Sequence, residues 1–366
     1  MSQPNILFIG PLFQACGWGQ ASRDFARAIN TVSNLTIRNI YLSAQIENNV
    51  PQDIIDLQNA RYSSYDIIIQ MVLPNLYYYD GRFSQNVGMV MLETKLNTHN
   101  WLNKTKIMDK MFICSPHEKS WLEKKTTTPI FNIGAPLDIS VTSKTYEPIN
   151  EIFNNKDIFK FLFIGENVQR KGIMELVQAY FGEFSINDNV VLIIKTTANI
   201  GEDINKLKKS MRRFASETKY PEILLITERL SEQQIYSLHQ HSDVFVMPSY
   251  GEAFNRPAAT SLIFDKPIIA TANTGMDYYL DESHSWKIDS TEDQVFYPQP
   301  PIMDLYTSSE TYYRPNILSL RKCMREATTD IYQMKLDYLK KINIKKKFSY
   351  ETIGQNIIKA LNVKNN

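Results

Sequence analysis

Phe161-Leu-Phe-Ile-Gly-Glu-Asn-Val-Gln-Arg-Lys-Gly172 opens on an apolar run, crosses a glycine and a polar loop, and ends in two cations beside a second glycine. The residues that follow, Ile173, Leu176, Val177, Tyr180 and Phe181, lie at helical spacing, so the stretch reads as a buried strand, a loop and an amphipathic helix. Such a unit is half of a parallel sheet with crossover helices. In open sheets of this kind ligands bind at the carboxyl ends of the strands, where Arg170 and Lys171 fall. A phosphate group is their natural partner, although a solvated basic pair is the commoner meaning of an isolated Arg-Lys.

The same alternation extends in both directions. Downstream, strands are expected at Val190 to Lys195, Glu222 to Thr227, Asp243 to Met247 and Pro267 to Thr271, with a helical face at Ile204, Leu207, Met211 and Phe214 between the first two. Upstream, they are expected at Asn5 to Ile9, Leu35 to Tyr41, Asp66 to Val72, Val87 to Met91, Met111 to Cys114 and Ile130 to Ile133. Ala21, Phe25, Ala28, Ile29 and Val32 form one stripe on a helix after the first strand. From Pro136 to about Lys156 the periodicity breaks into polar sequence and reads as a linker. Two tandem α/β domains follow, at 1–140 and 157–345 with a linker at 141–156, and a terminal helix in 346–366 needs a surface to pack on.

Composition narrows the function. Dividing 366 residues by a domain of about 150 gives two domains. Lys plus Arg total 40 and Asp plus Glu 39, a net charge of +1, so no overall field draws the chain to nucleic acid. Cys16, Cys114 and Cys323 are too dispersed for a disulfide scaffold or a paired zinc motif. No apolar run approaches the ~20 residues of a membrane span, and Met1 to Pro4 lacks the charge of a signal peptide. A cytoplasmic location is therefore expected. His99, His117, His239, His241 and His284 form no metal-ligand pattern, and no metal site is assigned.

Two further segments carry chemistry. Gly17-Trp-Gly-Gln-Ala-Ser22 places glycines at a helix start, but Ser22 replaces the third glycine of a dinucleotide fingerprint and no acidic residue ends the second strand. A polar ligand or a plain turn explains it equally. Asp243-Val-Phe-Val-Met-Pro-Ser-Tyr-Gly-Glu-Ala-Phe-Asn-Arg-Pro257 runs from a strand through Glu252 into a helix opening at Pro257. Amides before such a helix are free for a diphosphate, and Glu252 can accept hydrogen bonds from sugar hydroxyls. Glu252 alone can equally be a partner of the helix dipole.

Together these pieces resemble the retaining GT-B glycosyltransferases of family 4 (glycosyl transferases group 1). Lys171-Gly172 is similar to the family's diphosphate-binding Lys-Gly. Ser249-Tyr-Gly-Glu-Ala-Phe-Asn-Arg-Pro, Lys266-Pro-Ile-Ile-Ala-Thr and Thr274-Gly resemble its donor-sugar signature. Val87-Gly, Glu93-Thr94, Trp101, Asp109, Ser115, Arg314-Pro and Leu320 to Arg325 fit one branch of it.

The resemblance implies two Rossmann-like parallel-sheet domains facing a central cleft, with the C-terminal helix crossing back to the first. It implies transfer of a sugar from a nucleotide-diphosphate donor to a hydroxyl acceptor, a glycan, lipid-linked glycan or protein, without a metal or other cofactor. Lys171 and Glu252 would be the catalytic-site residues. Arg170 would join Lys171 at the diphosphate, and the amides of Ala253, Phe254 and Asn255 would hold the β-phosphate. Leu230 would sit near the base, and Gly17 and Gly19 would close over the donor. Two positions depart from the family: Thr260 stands where a second glutamate accepts ribose hydrogen bonds, and Glu166 where an arginine follows the strand glycine. Losing one charged ribose contact costs about 1.5–3 kcal/mol. A non-catalytic GT-B module that partners another glycosyltransferase or binds a glycan is therefore the alternative.

Other features read more plainly. Tyr77, Tyr78 and Tyr79 are expected as core beside a strand before they are an acceptor cleft. Lys206, Lys208, Lys209, Arg212 and Arg213, with Lys340 to Lys347, read as solvated helix faces, peripheral contact with an anionic inner membrane face being the rival meaning.

Overall fold

Strands rich in Ile, Val, Leu and Phe on both faces can exist only where helices cover both sides, and this sets the architecture. The computed structural model describes residues 3–42, 46–95, 99–211, 219–295 and 309–362. Phe214, Arg212, Arg213 and the side chain of His99 lie outside the described residues, as does Met1. The chain divides into two compact units: one of residues 1–139, 294–311 and 345–366, the other of 140–293 and 312–344.

The first unit is built on β1 (Asn5–Gly10), β2 (Asn34–Asn39), β3 (Ile67–Met71), β4 (Gln85–Met89), β5 (Lys110–Ile113) and β6 (Ile130–Asn132). They form one sheet in the order β2-β1-β3-β4-β5-β6, with parallel pairing throughout. Around it lie α1 (Gly17–Asn30), α2 (Gln52–Asn59), α3 (His99–Thr105) and α4 (Pro116–Leu122). The stripe expected on the first helix, from Ala21 to Val32, is buried. Tyr77 is core, whereas Tyr78 and Tyr79 are exposed, so only one of the three follows the sequence reading.

The second unit carries β7 (Phe159–Ile164), β8 (Val190–Lys195), β9 (Glu222–Ile226), β10 (Val244–Met247), β11 (Ile268–Thr271) and β12 (Ser285–Ile288), in the order β12-β11-β10-β7-β8-β9. All pairs are parallel. Its helices are α5 (Ile173–Glu183), α6 (Gly201–Met211), α7 (Glu232–His241), α8 (Arg256–Ile263), α9 (Ile317–Ala327) and α10 (Asp330–Lys341). A pair of short strands, β13 (Ser290–Gln294) and β14 (Thr311–Pro315), accompanies them. Lys206 on α6 pairs with Glu202 and Asp203 along its own helix, in keeping with a solvated face.

Returning to the first unit, α11 (Ile344–Phe348) leads into α12 (Tyr350–Asn362). α12 buries Ile353, Ile357 and Leu361. Gly354 faces Ala28 and Thr31 on the α1 side, where an added Cβ would lie 2.6 Å from the Ala28 carbonyl oxygen. Tyr350 donates to Asp24 Oδ1 at 2.7 Å, and buried Lys110 caps the helix end through the Ala360 and Leu361 carbonyls at 3.0 and 2.7 Å.

Two boundaries differ from the sequence reading. The stretch 141–156 is not a linker but part of the second unit, because Tyr146 anchors it. Its ring packs against Tyr236 and Phe264, its N–H donates to Gln240 Oε1 at 2.8 Å, and Ser237 Oγ donates to the Glu147 carbonyl at 2.6 Å. The described residues of 294–311, namely 294, 295 and 309–311, group with the first unit, interrupting the 157–345 block.

His239 is fully buried between Phe245 and Phe264, with Nδ1 2.7 Å from Ser261 Oγ. Burial, aided by the Lys266 charge, lowers its pKa from 6.5 to about 3. The unfolded chain therefore takes up this proton first, and stability present above pH 6.5 declines as the pH falls toward 3. Between pH 7 and 5 this one group is expected to cost about 2 kcal/mol. Urea midpoints at the two pH values check it: His239→Gln should show a shallower fall than the parent chain, and parallel falls would refute the assignment.

Candidate functional site

Two loops leaving the same edge of the second sheet build the site. β7 and β10 are parallel neighbours. β7 ends before Gly165 and a loop that closes in a 3-10 turn at Gln169–Lys171, while β10 runs through Pro248 to Asn255 before α8. Gly172 joins the 3-10 turn to α5 at φ 68°, a conformation that suits glycine. A Cβ there would stand 2.0 Å from the Pro248 carbonyl oxygen, so glycine also permits the loops to touch. Tyr250 ties them: its N–H donates to the Arg170 carbonyl at 2.7 Å and its hydroxyl to Glu175 Oε1 at 2.6 Å. From the other side Tyr313 N–H donates to the Tyr250 carbonyl at 2.7 Å, and Tyr312 stacks on the Tyr250 ring at 4.8 Å.

Across this junction Lys171 Nζ lies 2.6 Å from Glu252 Oε1. Arg170 Nη1 lies 3.1 Å from the same oxygen and donates to the Gly251 carbonyl at 2.7 Å. The Glu252 side chain is 4% exposed. Burial pushes its pKa up, but the Lys171 and Arg170 charges outweigh that and hold it below the ordinary carboxylate range. Two cations against one carboxylate leave a local excess of positive charge with little water to screen it, which suits an anionic ligand.

The start of α8 adds donors. Asn255, left-handed at φ 58°, caps the helix by accepting from Ala258 N–H at 2.9 Å through Oδ1. Its side-chain amide is buried against Glu252 and helps keep that carboxylate ionised. The N–H groups of Ala253 and Asn255 donate to no described residue. The helix begins at Arg256, so Pro257 is its second residue rather than its first. Unmatched N–H groups at the positive end of a helix dipole form an anion site.

The buttress of this turn was not read from sequence. Gly275 N–H donates to the Glu252 carbonyl at 2.7 Å, and a Cβ at Gly275 would lie 1.9 Å from the Ala253 carbonyl oxygen. Tyr279 donates its hydroxyl to the Phe254 and Asn255 carbonyls at 2.5 and 3.1 Å. Thr274-Gly was the only available signal, and it carries no hint of which turn it supports.

The structure thus brings Lys171, Arg170, Glu252, Ala253, Phe254 and Asn255 together. Thr260 is half-buried on α8, and Leu230 is half-buried between β9 and α7, just before the capping residue Ser231. Gly17 and Gly19 belong to the first unit; Gly19 is required there because a Cβ would stand 1.9 Å from the Gln14 carbonyl oxygen. Glu166 is exposed, while Arg170 is engaged by Glu252 and Gly251. Among the described residues no group of three or more His, Cys, Asp or Glu side chains is arranged to hold a metal ion.

This edge of the sheet can now be set against known proteins. Residues 146–296 match the family model of the glycosyl transferases group 1. No curated protein matches the chain significantly in sequence. Among similar solved structures is a sucrose-phosphate synthase from Thermosynechococcus elongatus, at 14% identity and a TM-score of 0.64 over 98% of each chain. A second is HepE from Anabaena in complex with UDP and glucose, at 12% identity and a TM-score of 0.64, covering 98% of this chain and 99% of that one. A third is a glycosyltransferase from Rickettsia africae, at 12% identity and a TM-score of 0.62 over the whole of both chains. These likenesses establish the GT-B fold. No helix among the described residues is long and apolar enough to cross a membrane.

Proposed function

We propose that this chain transfers a sugar, with retained anomeric configuration and without a metal ion, from a nucleoside-diphosphate donor to a hydroxyl acceptor. The observation that carries the reading is the buried Lys171–Glu252–Arg170 cluster beside the open N–H groups of Ala253 and Asn255. In this reading Glu252 accepts hydrogen bonds from the donor sugar, Lys171 and Arg170 bind the diphosphate, and the amides of 253–255 hold its β-phosphate. The bond from the anomeric carbon to the phosphate oxygen breaks as one to the acceptor oxygen forms on the same face, and the acceptor proton passes to the leaving phosphate. Charge builds on the diphosphate, where preorganised cations and amides stabilise it most. No nucleophilic carboxylate is assigned. The family match over 146–296 and a neighbour solved with UDP and glucose support the donor class.

Thermal melting with UDP, dTDP, GDP, ADP and CDP and their glucose conjugates tests the reading. A matching nucleotide at a hundred times its Kd is expected to add about 2.7 kcal/mol, followed by slow release of sugar or its transfer to added acceptors. Thr260 and Glu166 motivate the rival, a non-catalytic binding protein; melting unmoved by every nucleotide would favour it.

A further inference from the structure

In the structure Glu252 and Lys171 are each other's partner, whereas the function proposed above gives each of them a partner in the donor. A carboxylate oxygen accepts along two lone pairs, and Oε1 of Glu252 fills both with cations, Lys171 Nζ at 2.6 Å and Arg170 Nη1 at 3.1 Å. The side-chain amide of Asn255 is buried against the same group. Glu252 therefore has little left for a sugar hydroxyl, and Lys171 already holds an anion.

Two features single out Lys171 as the cation that can change partner. Arg170 is fixed from two sides, because its Nη1 also donates to the Gly251 carbonyl at 2.7 Å and its own carbonyl accepts from the Tyr250 N–H at 2.7 Å. Lys171 Nζ has Glu252 as its one acceptor among the described residues. Its side chain is also the more exposed, 18% against 12% for Arg170, and its ammonium rides on a flexible four-carbon stem. Cations in so closed a place need some anion, since a buried charge left unpaired is strongly unfavourable. A diphosphate carries more negative charge than a carboxylate. The N–H groups of Ala253 and Asn255, which donate to no described residue, lie in the Glu252 turn to help hold it.

We propose that Glu252 is a built-in competitor of the donor, and that a diphosphate binds by drawing the Lys171 ammonium off this carboxylate. The inference rests on the function proposed above. The Oε1 position so released is the one that function needs for the donor sugar.

Calorimetric titration of the intact protein with inorganic pyrophosphate and with UDP, dTDP, GDP, ADP and CDP tests the exchange through a double-mutant cycle of Lys171→Met and Glu252→Gln. Circular dichroism is the folding control. Glu252→Gln is expected to tighten binding about tenfold, because Lys171 then has no carboxylate to give up. Lys171→Met should accordingly cost about tenfold more affinity in the Glu252→Gln chain than in the parent. Additive effects, with Glu252→Gln tightening binding by the same factor whether or not Lys171 is present, would mean that the amine keeps Glu252 while it binds phosphate. That result would overturn the exchange but leave the donor reading intact. Binding of none of the six ligands to either the parent or the Glu252→Gln chain would overturn both. Should Glu252→Gln fail to fold, the parent chain crystallised with pyrophosphate decides: loss of the 2.6 Å contact between Lys171 Nζ and Glu252 Oε1 supports the exchange, and its retention overturns it.

Discussion

Lys171→Ala is expected to lower kcat/KM for sugar transfer by about 10²–10³-fold, the usual effect of removing one preorganised donor from a site of developing negative charge. The amine is placed for that role by geometry the sequence sets locally. Gly172 fixes the end of the turn, the Tyr250 N–H holds the Arg170 carbonyl, and Nζ arrives 2.6 Å from Glu252. The variant should still fold, because Glu252 keeps Arg170 at 3.1 Å and is not left as an isolated buried charge. Lys171→Arg should recover part of the loss, since charge is retained while the point geometry of an ammonium is not. Steady-state kinetics with circular dichroism as the folding control checks this. Unchanged turnover in folded Lys171→Ala would remove the amine from the chemistry.

Gly172→Ala is expected to destabilise the second unit by about 3–5 kcal/mol, summing a left-handed backbone penalty and a clash inside a packed junction. Both terms are visible: φ is 68°, and the new Cβ would stand 2.0 Å from the Pro248 carbonyl oxygen. Backbone cannot swing aside as a side-chain tip can, so the β10 loop must shift, and with it Glu252. Gly17→Ala provides the control, because nothing lies within 4 Å of a Cβ there. Thermal midpoints should fall by roughly 10 °C in the first variant and hardly move in the second. Comparable midpoints for both would mean that the two loops do not bear on each other as described.

Much of this arrangement was legible in the chain. The bounds of β7 and β8 are legible as largely apolar runs, Phe159 to Ile164 and Val190 to Lys195, because central strands are buried on both faces; Lys160 interrupts the first, its ammonium donating to the Asn155 and Ile158 carbonyls. β12 was not read: Ser285-Trp-Lys-Ile is short and mixed, and its strand character comes from parallel pairing with β11. The stretch 141–156 was read as a linker for a similar reason, since its polar sequence hides two aromatic anchors, Tyr146 and Phe153, whose partners Tyr236 and His241 lie some ninety residues on. In the site, Lys171, Arg170 and Glu252 could be named from loop chemistry at strand ends. The support from Gly275 and Tyr279 could not, because it depends on how the segment after β11 returns beneath the Glu252 turn.

The docking of α12 on α1 bears on how this chain matures during synthesis. Until residues 350–362 leave the ribosome, Lys110 has no helix end to cap, Asp24 lacks the Tyr350 hydroxyl, and the α1 surface later covered by α12 stays open. The second unit ends at Ile344. The half made first is therefore finished last, and a nascent chain stalled before Tyr350 would present a sticky α1 flank to chaperones.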